Sequence, residues 1–338
     1  MLSNAEAPQV AVASAPANTM LMGEHAVLFG YPALVCALQQ RIYVQAARRT
    51  DGQLVIESEI GHYQAAITSP APDQRFEFVL HAIAVSHQET GGLTITIGSD
   101  FGHTLGLGSS AAVSVATLAA MALLKQKALE PLTIMHKAIA LVRSVQGRGS
   151  GADVAASALG GIVEYTANPI SANSVTLPDH VWQQAPVMCL VYCGYKTPTP
   201  VVITQVALAA AKQPQYFAAL YAQMGACVSA SMLALAQQDW PQFGAHMNQY
   251  QCLMRDLGVS DDAIEKILNL GLQQAPTAGE FAGKISGSGL GDCVLLLGTA
   301  GINGWPETQM ALNLEPQGVR AEAYLPNHHH HHSHRQEP

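Results

Sequence analysis

The residues best suited to chemistry in this chain lie in three glycine-rich turns and one buried-looking charged pair. The first turn is Leu105-Gly106-Leu107-Gly108-Ser109-Ser110-Ala111-Ala112, at the mouth of an apolar run that ends at Leu124. A flexible turn opening into a helix leaves backbone N–H groups unpaired at the positive end of the helix dipole. That is an anion site, and phosphate is its usual guest. Gly106 and Gly108 let a ligand approach the backbone with no Cβ in the way. The hydroxyls of Ser109 and Ser110 can cap the helix, bind phosphate oxygens or ligate a magnesium ion.

The second turn, Gln146-Gly147-Arg148-Gly149-Ser150-Gly151-Ala152-Asp153, leads into the apolar stretch Val154 to Leu159. Asp153 reads either as a helix N-cap or as a carboxylate that accepts or orients a hydroxyl proton during phosphoryl transfer. The third turn is Ser286-Gly287-Ser288-Gly289-Leu290-Gly291-Asp292. Each turn alone could be a plain connection; three together suggest a site closed around an extended polyphosphate. Glu24-His25, set among Met22, Gly23, Ala26 and Val27, reads equally as a satisfied buried pair or as the polar wall of a pocket.

Two named phosphate loops fit the first turn poorly. A Walker loop needs a lysine before Ser109, and none is there. A dinucleotide fingerprint accepts Gly106, Gly108 and Ala111, but it also needs a second strand ending in an acid about 20 residues on. That region is helical in pattern, so a Rossmann unit is a weak runner-up.

The elements that must hold these turns alternate between strand and helix. Strands are expected at Val10–Ser14, Ala33–Ala47, Leu54–Glu59, Tyr63–Thr68, Leu93–Ile97, Ile162–Tyr165, Val187–Tyr192, Val294–Gly298 and Arg320–Leu325. Ala15 to Gly30 reads as a loop and an apolar turn. Helices are expected at Arg75–Gln88, Ala111–Leu124, Leu132–Val145, Val154–Leu159, over Val201–Gln237, and around Trp240–Asp256 and Asp261–Gln273. The class is α/β or α+β, with a domain boundary near Asn168 to Gln184.

Composition narrows the function. The chain has 338 residues, 49% hydrophobic and 12% charged, enough for two domains with substantial cores. Its formal charge of −8 and the lack of a basic stripe argue against nucleic acid and anionic membrane as partners. The longest uncharged apolar run is read as Ala111 to Leu124, too short to span a bilayer. No signal peptide is evident, and the six scattered cysteines read as reduced, core or near-core thiols of a cytoplasmic protein. His328 to His332 with His334 read as a disordered tail, either a purification tag or a native metal-sequestering segment.

The motifs together resemble the GHMP kinases, in their mevalonate kinase form. Ala15-Pro16 with Gly23-Glu24-His25-Ala26-Val27-Leu28-Phe29-Gly30 resembles the family's first motif. Gly106 to Ala112 looks like its ATP-phosphate motif, and Lys284-Ile285-Ser286-Gly287-Ser288-Gly289-Leu290-Gly291-Asp292-Cys293 like its third. The resemblance runs from about Val10 to Leu325. It implies an N-terminal domain like ribosomal protein S5 domain 2 at 8–180, a ferredoxin-like C-terminal domain at 185–326, and a tail at 327–338.

It also implies ATP and Mg2+, with mevalonate or phosphomevalonate as the small-molecule acceptor, and allows a homodimer. By resemblance Asp153 is the catalytic aspartate, Gly106, Leu107, Gly108, Ser109, Ser110 and Ala111 hold the nucleotide phosphates, and Ser110 lies near the metal. Glu24 and His25 line the acceptor side, with Ser150, Gly287 and Ser288 as further substrate-binding candidates. Two positions depart from the pattern. Asn18 stands where mevalonate kinases usually carry a catalytic lysine, and Val142 where they commonly carry a magnesium-binding glutamate. Lys196 and Lys284 are the candidates to replace the missing positive charge. Gly23-Glu24-His25 favours mevalonate as acceptor, whereas Gly149 to Ala156 and Gly291-Asp292-Cys293 lean towards phosphomevalonate. A binding homologue with little catalysis is the alternative of another class.

Overall fold

The structure, a computed structural model, describes residues 9–87, 91–101, 106–147, 149–175, 185–275 and 281–326. Leu105, Gln88, Arg148, the later part of the expected boundary (176–184) and the histidine-rich tail lie outside the described residues.

The first half runs β1 (Val10–Met22), a 3-10 turn (Ala26–Phe29), β2 (Ala33–Arg49), β3 (Gln53–Ser58), β4 (Gly61–Ala66), α1 (Glu77–Ser86), β5 (Gly92–Ser99), α2 (Ser109–Leu124), α3 (Pro131–Gln146), α4 (Ala152–Leu159), β6 (Ile162–Ala167) and β7 (Ile170–Val175). The second half runs β8 (Met188–Lys196), α5 (Thr199–Lys212), α6 (Pro214–Ala236), α7 (Trp240–Asp256), α8 (Asp262–Gln274), β9 (Ala282–Ser286), β10 (Gly291–Leu297), β11 (Gln309–Leu312) and β12 (Arg320–Glu322). The expected mixed α/β class, with its two units, is what forms.

An eight-stranded sheet takes the order β12-β1-β2-β5-β3-β4, with β6 paired to the far end of β2 and β7 to β6. Only β3 and β5 run parallel within it. Helix α2 is apolar almost all round, because it is buried between β1 and β2 on one side and α1, α3 and α4 on the other. The second sheet, β11-β8-β10-β9, is antiparallel and carries α7 and α8.

Several expectations need correcting. Ala15 to Met22 is strand, not loop. The ladder continues through Pro16 because the register shifts between Pro16 and Asn18, a bulge that absorbs the missing proline N–H. Residues 168–175, expected at a boundary, form β7 against β6. Gly283 to Ser286 lies in a strand, β9, so the third turn is only the hairpin that follows it. The long helical region divides at Gln213-Pro214, since proline starts a new helix more readily than it continues one. A longer uncharged run also exists. Pro214–Ala236 is long and apolar enough to cross a membrane, yet half of its apolar window is buried, along a stripe that includes Phe217, Leu220, Tyr221, Met224 and Val228. That spacing is the face of a core helix.

The chain end also returns to the first sheet. β12 pairs with β1, Leu38 bridges Leu314, and Gly318 packs on the backbone of Ala158 and Leu159. The buried Arg41 guanidinium holds this return, donating to Gly318 O (2.6 Å), Gln317 O (3.2 Å) and Ser14 Oγ (2.8 Å). Residues 314–322, expected within the second domain, are therefore structurally part of the first. None of the six cysteines is in a disulfide; five are buried, and Cys252 is exposed rather than core.

Candidate active site

Strand β1 is the piece that joins the turns. The Asn18 N–H donates to Leu107 O (3.1 Å), which fixes the floor of the first turn. Its side-chain Nδ2 donates to Ser157 Oγ (3.0 Å) on α4, and Ser157 in turn donates to Pro16 O (2.7 Å). Gly108 sits at φ +67°, and a Cβ there would overlap the Asn18 carboxamide. Asn18 is thus buried beneath the loop and tied to α4. A lysine would be too long for that seat, which explains the departure locally.

Gly108 caps α2 in the left-handed conformation and no side chain caps the helix, so its first N–H groups remain available to a ligand. Leu107 and Ala111 are buried and anchor the turn, while Ser109 and Ser110 are half-buried. Both serines line a cavity of about 800 Å³ whose other walls include Phe76, Phe78, Val79 and Val113. Sequence reading missed this cavity. The available signal was Phe76-Glu77-Phe78-Val79, more apolar surface than a surface helix start requires.

Asp153 lies in the first turn of α4, behind Gly151 at φ +92°. It is partly exposed, and its Oδ1 accepts from Val154 N (2.9 Å). Burial pushes its carboxyl above the ordinary aspartate range, and only backbone N–H groups pull it back. Arg143 of α3 clamps the preceding turn, donating through Nε to Gly149 O (3.1 Å) and through Nη2 to Ser150 O (2.7 Å). The Tyr165 hydroxyl donates to the same Ser150 carbonyl (2.6 Å). Ser150 Oγ accepts from Ala152 N (3.3 Å), so this hydroxyl shapes the turn. Val142 is buried in the core.

Glu24 follows Gly23, whose φ of +115° and contact with Ala33 leave no room for a side chain. Its carboxylate is buried in an ion pair with Lys284 of β9, whose ammonium also donates to Ile285 O. The Tyr250 hydroxyl donates to Glu24 O (2.9 Å), and Glu24 Oε2 has no hydrogen-bond partner. Burial pushes the Glu24 carboxyl up, against the pull of Lys284, and pushes the Lys284 ammonium down, against the pull of Glu24. Of the two local readings of Glu24, the structure takes the buried pair. Lys284 is correspondingly spent inside the protein.

His25, at φ +60°, donates from Nε2 to Ser288 O (2.9 Å), and burial lowers its pKa. Thr19 Oγ1 and Ser286 Oγ share a hydrogen bond of 3.0 Å. These contacts hold the half-buried Gly287 and Ser288 beside β1. At the end of the third turn, the Asp292 carboxylate faces Gly106 and pairs with Lys196 (2.6 Å). The first and third turns therefore gather at β1 and meet across the two sheets, and α4, which follows the second turn, is tied to β1 through Ser157.

Comparison with known proteins agrees with this fold. The pattern for the GHMP kinases N terminal domain matches residues 77–161, that for the GHMP kinases C terminal matches 231–302, and the galactokinase galactose-binding signature matches 3–48. A mevalonate kinase of Thermococcus onnurineus is 29% identical, over 93% of this chain and 99% of its own. The solved mevalonate kinase of Methanococcus jannaschii superposes with a TM-score of 0.76 at 19% identity, covering 90% of this chain and 98% of that one. The mevalonate kinase of L. major in complex with R-mevalonate gives 0.74 at 21%, covering 90% and 96%.

The matched domains and curated relatives, on this fold, support an ATP-dependent phosphotransferase with an alcohol group as acceptor. The two matched family segments fall on the unit that carries the first glycine turn and on the helices and strands that carry the third. Two GHMP kinase domain models match separate segments of the chain, and curated mevalonate kinases are similar to it over nearly its whole length.

Proposed function

We propose that the chain transfers the γ-phosphoryl group of ATP to the 5-hydroxyl of mevalonate. The observation that carries the acceptor is the near full-length similarity to curated relatives named mevalonate kinase. In this reading the N–H groups at the head of α2, with Gly106 to Ser110, hold the nucleotide phosphates, and the adjoining cavity takes the base and ribose. Asp153 orients the attacking hydroxyl and receives its proton; its raised pKa makes it a better base than an exposed aspartate. Asn18 acts as a positioning residue beneath the loop. His25, Ser150, Gly287 and Ser288 form the acceptor wall, and the Glu24–Lys284 pair fixes that wall in place.

The residues present suit a magnesium ion that arrives on the nucleotide. Ser110 and Asp153 are hard oxygen donors, Val142 offers none, and among the described residues no group of three or more His, Cys, Asp or Glu forms a protein-only metal site. When bound there, the ion would neutralise charge on the phosphates. Catalysis by this chain's own groups is then positioning and electrostatics. The free thiols suit a reducing compartment.

An ADP-release assay with mevalonate, phosphomevalonate and galactose tests this. The galactose arm is included because the galactose-binding signature also matches. Turnover with mevalonate well above the other two is expected. Turnover confined to another acceptor would move the assignment to it, and ATP binding with no turnover would make the protein a binding homologue.

A further inference from the structure

The phosphate site needs a cation, and the usual position holds the uncharged Asn18. We propose that Lys196 supplies this charge from the opposite side of the cleft, with Asp292 as the residue that positions it. The inference rests on the kinase reading of the site.

The backbone is built to bring this pair to the loop. β8 and β10 pair Gly291 with Lys196 and Cys293 with Tyr192, so Cys193, Gly194 and Tyr195 lie opposite Asp292 alone. Such a bulge turns side chains away from their regular alternation, and Gly194 at φ +92° allows it. Asp292 itself takes φ +65°, a conformation an L-residue adopts rarely. The result is a carboxylate whose Oδ1 and Oδ2 lie 3.3 and 3.5 Å from where a Cβ on Gly106 would stand. Only a glycine at 106 leaves that approach comfortable.

A bare carboxylate at the rim of an anion site would repel phosphate. Here it is neutralised by the Lys196 ammonium at 2.6 Å. Asp292 is recessed, with its side chain 13% exposed, whereas that of Lys196 is 46% exposed. The carboxylate beside the loop is thus recessed, and the ammonium paired with it is open to solvent, one hydrogen bond from the group that faces Gly106. An ammonium has three donors; Asp292 takes one and the remainder can meet phosphate oxygens. Among the described residues, the other cations around the turns are engaged: Lys284 is buried on Glu24 and Ile285 O, and Arg143 holds the carbonyls of Gly149 and Ser150.

Calorimetric titration of the full chain with Mg-AMPPNP and with ADP, alongside steady-state kinetics, tests the pair. Lys196→Met should weaken AMPPNP binding by about 10- to 100-fold, the worth of a charge-assisted hydrogen bond. It should weaken ADP, which lacks the terminal phosphate, by less. Lys196→Arg should restore most of the AMPPNP affinity, and Asp292→Asn should fall between, with KM for ATP raised. Thermal melting checks that each variant is folded. If wild type turns over and folded Lys196→Met binds AMPPNP as wild type does, the proposal fails and the kinase reading stands. If wild type turns over no acceptor while Lys196→Met still loses AMPPNP affinity, the kinase reading fails and the assignment of Lys196 stands.

Discussion

Replacing Lys284 by methionine probes the joint between the two sheets. Lys284 and Glu24 are 0% and 3% exposed, and Glu24 Oε2 already lacks a partner, so the substitution strands a carboxylate with neither oxygen paired to a side chain. Breaking a buried pair in this way costs about 3–5 kcal/mol, a large part of the roughly 5–15 kcal/mol by which domains are stable. The loss depends on pH. Burial raises the Glu24 carboxyl above 4.5 even with Lys284 present, and the strongest opposing pulls come from Lys284, so the variant's carboxyl rises further. A carboxyl whose folded pKa exceeds its unfolded one leaves stability intact below the unfolded value and removes it as pH rises through the folded value. Urea unfolding followed by the fluorescence of the three tryptophans should therefore show a penalty that is small near pH 4.5 and full at pH 8. The double variant Glu24→Leu/Lys284→Met, which removes both charges, should recover most of the stability. A penalty below about 1 kcal/mol at pH 8, or one equal at both pH values, would refute the reasoning.

Asp153→Asn should lower kcat by roughly 100- to 10,000-fold with little change in melting temperature, as measured by ADP release. The acid limb of wild-type kcat should lie above the ordinary aspartate value of 3.8, since activity falls as pH drops through the raised pKa, and the limb should vanish in the variant. Gly108→Ala forces a side chain into the left-handed region against Asn18. It should cost about 1–2 kcal/mol in urea unfolding from backbone strain alone, with KM for ATP raised as Asn18 is displaced. Val113→Trp should fill part of the cavity beside Ser109 and Ser110, raising KM for ATP while leaving KM for the acceptor within about twofold.

Local patterns carried much of the fold. The apolar run after Ser110 and the alternation at Leu93–Ile97 gave α2 and the core of β5 almost residue for residue. Local pattern failed where a segment's conformation is imposed by its neighbours. β1 between Ala15 and Met22 has few β-branched residues and a proline; it is strand because β2 lies beside it and α2 and α4 cover it. β9 opens with Ala282-Gly283-Lys284, a poor strand signal, and it is strand because β10 pairs with it. β12 is three residues long and exists only as the partner of β1.

The sequence by itself determined that one glycine turn frees the start of a helix, which is the chemistry of an anion site, and that an aspartate opens another helix. Glycines that free a helix start, and an aspartate opening another helix, have those properties wherever they fold. Only the tertiary structure decided how the charges are divided. Glu24 and Lys284 are 260 positions apart in sequence and neutralise each other in the interior. Asn18 lies under the first glycine turn, held to α4 by Ser157. Lys196 reaches the rim of that turn from the second sheet, through Asp292. An ionisable side chain is defined by its desolvation and its nearest opposite charge, and both are set by which strands meet.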